Sequence, residues 1–221
     1  MATITKQNQN AEILPNRYSI HLARKGWHMF TGGPIITAYF LTDLGINFWV
    51  YLTLAIGVFG LVSDLIRFKS PAFNRLIFKA LGPFLRSEEK HSFSGLPFYA
   101  LGCCFSLYFF PERIAILSIL FLIFSDPISS LFGIMYGRDK LIGNKSIQGS
   151  VAGFCVCYIV SLLYGMTFAV SDLNLLSFSL VAGLIGSFSE ILSVFGIDDN
   201  LTIPVVSGLG LTIINYVFQI Y

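Results

Sequence analysis

Long uncharged apolar runs recur along the chain, separated by short polar segments, and each is of helix-crossing rather than strand length. The runs lie at about Gly26–Leu41, Phe48–Ile66, Gly95–Phe110, Ile114–Tyr136, Val151–Val170, Phe178–Val194 and Ile203–Ile220. They predict an all-α, polytopic membrane helix bundle of about seven transmembrane helices, with no room for a separate soluble domain. The first run is short and interrupted by Gly32-Gly33-Pro34. Residues 72–81 follow another pattern: Phe73, Leu76, Ile77, Ala80 and Leu81 share one side and Arg75 and Lys79 lie elsewhere. That predicts an amphipathic helix on the membrane surface, ended by Gly82-Pro83. Leu85–His91 reads as a solvated loop. Residues 1–17 form a polar tail without the apolar stretch and cleavage site of a signal peptide, which leaves 18–221 as one transmembrane domain.

Polar positions inside the runs are few and patterned. Gly57 and Gly60 precede Asp64 by seven and four residues, and Gly183, Gly186 and Ser187 precede Glu190 by seven, four and three. Each acid therefore shares a helix face with residues small enough for close helix approach. Asp126 lies deep in the fourth run, and Ser129, Ser130, Gly133 and Gly137 continue its face towards a short basic loop that ends in Asn144, Lys145, Ser146 and Gly149. Pro127 predicts a kink or break beside that acid. Ser146 and Ser150 are both candidate caps for the fifth helix, whose N-terminus would aim free N–H groups and positive dipole at the loop. Asp198-Asp199-Asn200 reads as the turn after Glu190, and Arg24, Lys25 and His28 stand at the start of the first run, with Arg24 and His28 on one face.

Composition agrees with the pattern: 55% of residues are hydrophobic, 12% are charged, and the mean hydropathy is +0.74. The formal net charge of +2, without a basic stripe, excludes nucleic acid as a partner. The four cysteines, Cys103-Cys104 and Cys155-x-Cys157, lack the spacing of a zinc or redox site and read as packing residues. Of the 14 Lys and Arg residues, 13 fall on one side if the N-terminus is cytosolic, and Arg113 alone on the other. The same topology carries Asp64, Asp126, Glu190, Asp198, Asp199, Lys145, His28 and Arg24 to the cytosolic half. Ionisable groups at membrane depth are costly and are candidate functional sites for that reason.

Arg24-Lys25-x-x-His28, Leu85-Arg86-x-Glu88 leading into Ser94-Gly95, Ser125-Asp126 with Gly133 and Gly137, Lys145-Ser146-x-x-Gly149-Ser150, and Glu190 followed by Asp198-Asp199-Asn200 resemble, in order, the polytopic lipid-alcohol kinases. That family includes dolichol kinase, CTP-dependent diacylglycerol kinase and phytol kinase; the Leu-Arg-x-Glu and Ser-Gly-Leu-Pro-Phe-Tyr stretch looks closer to the dolichol and diacylglycerol branch. The resemblance implies an integral membrane kinase that passes the terminal phosphoryl group of a nucleoside triphosphate, CTP by family likeness, to a lipid alcohol such as diacylglycerol or a polyprenol, with membrane lipids as surroundings. It implies Asp126, Lys145, Arg24, His28 and Glu190 as catalytic residues. Lys25, Asn144, Ser146, Gly149, Gly133, Gly137 and Asn200 would bind the nucleotide, and Asp126 with Asp198 or Asp199 would hold Mg2+. The active site would face the cytosol, and the oligomeric state stays open. Two other readings stand beside this one: a CTP-lipid cytidylyltransferase that makes CDP-diacylglycerol, whose signature also pairs an acid and spaced glycines with a Lys-Ser/Thr turn, and a transporter built on buried carboxylates. The Asp-Asp-Asn turn, the missing Lys-Asp continuation after Gly149 and the lack of an internal repeat favour the kinase.

Overall fold

The computed structural model describes residues 26, 29–82, 85, 87–143, 145–169, 174–193 and 197–221, with 87 and 88 described by backbone alone. Every apolar run becomes a helix. In chain order these are α1 (Met29–Leu41), α2 (Gly45–Lys69), α4 (Gly95–Phe109), α5 (Glu112–Leu120), α6 (Asp126–Tyr136), α7 (Ile147–Phe168), α8 (Leu175–Leu192) and α9 (Asp199–Phe218), with the amphipathic α3 (Pro71–Leu81) after α2. α5, a π-helical turn over Phe121–Ser125 and α6 form one rod, Glu112–Tyr136. That rod and α2, α7, α8 and α9 are long and apolar enough to cross a membrane, whereas α1 and α4 are shorter apolar helices. The protein is an all-α polytopic membrane bundle.

The rod is its central helix. Ile114, Ala115, Leu117, Phe121 and Leu122 are fully enclosed, while Phe59 on α2, Leu163 on α7 and Tyr216 on α9 point outwards. Apolar side chains on the outer faces have lipid as their solvent, so this arrangement carries no exposure penalty in a bilayer. α3 buries no residue and starts from Ser70, whose hydroxyl accepts the Phe73 N–H at 3.3 Å.

Three local features differ in detail from the sequence pattern. The break predicted near Asp126 is the π-helical turn: Pro127 has no N–H to return to the carbonyl four residues back, and the widened turn just before it absorbs the mismatch. The Gly-Gly-Pro sequence in the first run does not interrupt α1, which continues to Leu41; Gly32 instead marks close packing, since a Cβ there would lie 2.6 Å from Ile123. The Asp-Asp-Asn segment is not a separate turn: Asp198 caps α9 by accepting the Asn200 N–H at 3.0 Å, so Asp199 and Asn200 form the first turn of that helix.

Small residues set the helix separations. Pro204, inside α9, cannot donate to the Asn200 carbonyl, and Gly102 of α4 lies directly over that oxygen, where there is no room for a Cβ. Gly60 of α2 meets Pro97 of α4 in the same manner, with a Cβ contact of 3.2 Å. These contacts bring the C-terminal half of α2, the N-terminal half of α4 and the start of α9 together. Gly102→Ala should therefore lower stability by about 1–3 kcal/mol through overpacking. Gly33→Ala, which has nothing within 4 Å of its Cβ, should leave stability unchanged or raise it by up to ~1 kcal/mol. Thermal unfolding of the purified variants in detergent checks both.

Candidate active site

The basic loop folds back on itself. β1 (Lys140–Ile142) pairs antiparallel with β2 (Lys145–Ser146), Ile142 opposite Lys145 and Lys140 opposite Ser146, around a turn where Gly143 takes a left-handed φ of 55°. Ser146 then caps α7, its Oγ accepting the Gly149 N–H at 3.2 Å, which settles the choice between Ser146 and Ser150. Asp139 secures the other side: its carbonyl accepts the Ile147 N–H at 3.0 Å and its Oδ2 accepts from Gln148 Nε2 at 2.8 Å. The hairpin thus turns Lys145 from the loop back into the bundle.

There Lys145 Nζ donates to Glu190 Oε1 of α8 at 2.8 Å, and the Glu190 side chain is only 5% exposed. Burial acts to lower the lysine pKa, but the negative charge of Glu190, followed by that of Asp126 and Asp199, outweighs it, so the ammonium titrates above its ordinary value. Lys145 is charged throughout the neutral range. Three candidate acids from three different helices therefore act on one cation, an arrangement that the order of residues along the chain does not reveal.

Glycines make this convergence possible. A Cβ on Gly149 would lie 2.8 Å from the Ser129 carbonyl and 3.2 Å from Gly133 Cα, and one on Gly137 would lie 2.7 Å from Ser146 Oγ. Gly133, Gly137 and Gly149 thus let α6 and α7 touch beside Ser146. The Gly149 N–H, a candidate phosphate donor, is already given to Ser146. One turn deeper, Gly153 opens a space bounded by Glu190 Oε2, Ser129 Cβ and Ser125 Oγ, at 3.0, 3.2 and 3.3 Å from where its Cβ would be. Asp126 itself is fully buried. Ser187 Oγ donates to the Ser150 carbonyl at 2.9 Å, tying α8 to the start of α7.

A second polar cluster flanks the first. Asp64 does not join the acids around Lys145; it is held by Arg67, whose Nε donates to Oδ1 at 2.7 Å, and by Ser94, whose N–H and Oγ donate to Oδ2 at 2.7 and 3.0 Å. Arg67 is 2% exposed, and its Nη atoms also donate to the carbonyls of Glu89 and Ser92. The segment expected to be a solvated loop is consequently fixed against α2 as a 3-10 turn over Ser87–Lys90, with Glu89 buried. Its continuation reaches α9, where Asn200 Nδ2 donates to the Gly95 carbonyl at 3.5 Å. Asn200 so ties the start of α9 to the start of α4. Arg67 and Glu89 were not singled out from sequence, because a basic residue at a helix end and an acid in a polar stretch look like surface chemistry.

Among the described residues no three His, Cys, Asp or Glu side chains group closely enough to hold a metal ion by themselves. Magnesium bound with a nucleotide needs fewer protein ligands, commonly one or two carboxylates with phosphate oxygens and water. Asp126 and Asp199, both acting on Lys145, suit that donor chemistry, and Asp198 is engaged as the α9 cap. Arg24, Lys25, His28, Asn144 and Arg86 lie outside the described residues, as does the Glu88 side chain.

Comparison with known proteins gives a consistent set of relatives. The chain is 38% identical over 161 residues to a protein of Schizosaccharomyces pombe named CTP-dependent diacylglycerol kinase 1, covering 68% of this chain and 74% of that protein. It is 32% identical over 221 residues to the Saccharomyces cerevisiae protein of the same name, covering 90% and 74%. It is 35% identical over 180 residues to that of Eremothecium gossypii, covering 72% and 57%. No model of a protein family matches the chain, and no solved structure matches it.

The Asp64–Arg67 pair should behave as a buried ion pair. Asp64→Ala leaves the guanidinium enclosed without its carboxylate and should cost about 3–5 kcal/mol, whereas the double variant Asp64→Leu with Arg67→Met should recover much of that loss. Comparing detergent-solubilised thermal midpoints of the two variants and the parent tests the assignment; equal losses would contradict it.

Proposed function

The chain belongs to the CTP-dependent diacylglycerol kinase family, and on that footing we propose that it transfers the terminal phosphoryl group of CTP to the hydroxyl of a diacylglycerol at the cytosolic face of the membrane. The observation that supports this placement is the partly buried ion pair of Lys145 with Glu190, within reach of the negative charges of Asp126 and Asp199.

In this reading the nucleotide approaches from the cytosol. Lys145 and the β1–β2 loop meet its phosphates, helped by the positive end of the α7 dipole. Arg24, Lys25, His28 and Asn144 belong to the same phosphate-facing group by family resemblance. Asp126 and Asp199 would hold magnesium, which supplies charge neutralisation to the phosphate oxygens. The lipid keeps its tails among the helices and presents its hydroxyl at the polar end. Attack by the hydroxyl oxygen forms the new P–O bond and breaks the bond to the β-phosphate oxygen, giving a lipid phosphate and CDP, while the hydroxyl proton passes to a carboxylate of the site. Phosphoryl transfer depends chiefly on positioning and charge stabilisation, so an interlocked site in which glycines fix the helix separations suits it. Glu190 orients Lys145, and Asn200 with Gly95 fixes the neighbouring helix ends.

The deciding experiment uses purified protein in detergent with magnesium, diacylglycerol and CTP labelled at the α or the γ phosphate. Label from the γ position in the lipid product is expected; label from the α position would make the protein a cytidylyltransferase. Asp126→Asn should insert and fold normally while losing activity by about a hundredfold or more, as expected when charge stabilisation of a transition state is removed. An Asp126→Asn enzyme of parental rate would overturn the role given to that acid.

A further inference from the structure

The substrate's tails need a place that leaves the hydroxyl at the polar end. A cleft of about 620 Å³ runs between α8 and α9, walled by residues including Ile185, Phe188 and Ile191 on one side and Val206, Leu209 and Ile213 on the other. Its outer walls are open to the surroundings, with Phe188 57%, Leu209 56% and Ile213 58% exposed. Its floor is closed where Gly210 meets Ile185, since a Cβ at Gly210 would lie 2.7 Å from Ile185 Cγ2.

The direction of the cleft distinguishes it from an ordinary lipid-facing seam. α8 runs towards the polar end and α9 starts from it, so both walls finish at the candidate active site. On α9, Ile213, Val206 and Asp199 are spaced by sevens and form one stripe along the helix. Asp199 therefore stands on the cleft's own face, about 10 Å along the axis from Val206, and its charge acts on Lys145. Glu190 does not line the cleft and extends towards Gly153 of α7, while Ser187, one turn before it, lines the cleft and donates to the Ser150 carbonyl.

We propose that the α8–α9 cleft is the binding site for an acyl chain of the diacylglycerol, laid along the Ile213–Val206 stripe so that the glycerol hydroxyl lies beside Asp199. This rests on the kinase reading above. A single chain occupies the cleft, and the second tail remains in the surrounding bilayer. Chain-length preference is then set by cleft residues distant from the phosphoryl chemistry.

The test fills the cleft from its open side. Leu209→Trp and Ile213→Trp replace exposed apolar residues with a larger one, and Phe59→Trp on the outward face of α2 serves as control. Parent and variants are assayed in mixed micelles with CTP and either a long-chain or a short-chain diacylglycerol. With the long-chain lipid, KM should rise about tenfold in the two cleft variants, the loss of roughly two buried methylenes. The KM for CTP, the kinetics with the short-chain lipid and all constants of Phe59→Trp should remain parental. An active parent whose cleft variants keep the parental long-chain KM, or lose the short-chain lipid equally, would overturn the cleft assignment and leave the kinase reading intact. A parent that phosphorylates neither lipid would overturn both.

Discussion

The Lys145–Glu190 ion pair is the constraint on which the functional end of this protein depends. A lysine in a polar loop would ordinarily extend into water; here a hairpin returns it to a carboxylate on a helix that follows α7 in the chain, and the two meet at 2.8 Å. Bringing an ammonium to that depth is costly unless compensating charge surrounds it. Glu190, Asp126 and Asp199 provide that compensation together and shift the lysine towards its charged form. The consequence is a preset cation flanked by acids, the electrostatic opposite of a bare anion hole. A triphosphate carrying its metal complements both signs at once, the phosphates meeting Lys145 and the metal meeting the carboxylates.

The pair could not form if the helices stood at ordinary separations. Gly133 and Gly149 let α6 and α7 touch, Gly153 makes room for the Glu190 carboxylate, and Gly102 leaves room for the Asn200 carbonyl to which Pro204 cannot donate. In a bilayer, where apolar burial gives little drive for helices to associate, such small-residue contacts and the hydrogen bonds between helices provide specificity. The second cluster, Asp64–Arg67–Ser94, uses buried charge in the same way to hold the scaffold, tying α2 to the start of α4 and to the Ser87–Lys90 turn. Next to Ser94, the Gly95 carbonyl accepts from Asn200 Nδ2, which links the start of α4 to the first turn of α9.

Hydrophobic periodicity alone determined that this chain is a bundle of membrane helices, because in hydrocarbon the backbone must satisfy its own hydrogen bonds and long uncharged runs have no other stable form. Sequence spacing also determined that Asp126 and Glu190 share faces with small residues, that Pro127 disturbs the helix beside Asp126, and that a serine caps α7, since these follow from geometry within a single helix. Tertiary structure decided what spacing cannot encode: which acids meet which bases. Asp64 and Glu190 carry the same local signature of preceding glycines, yet Asp64 is neutralised by Arg67 three residues on, while Glu190 finds Lys145 forty-five residues earlier in the chain. Likewise, Glu89 and Arg67 looked like surface charges until the approach of α2 and α4 enclosed them. Charge pairing across a bundle depends on helix separation and rotation, and those are fixed only when all the helices pack together.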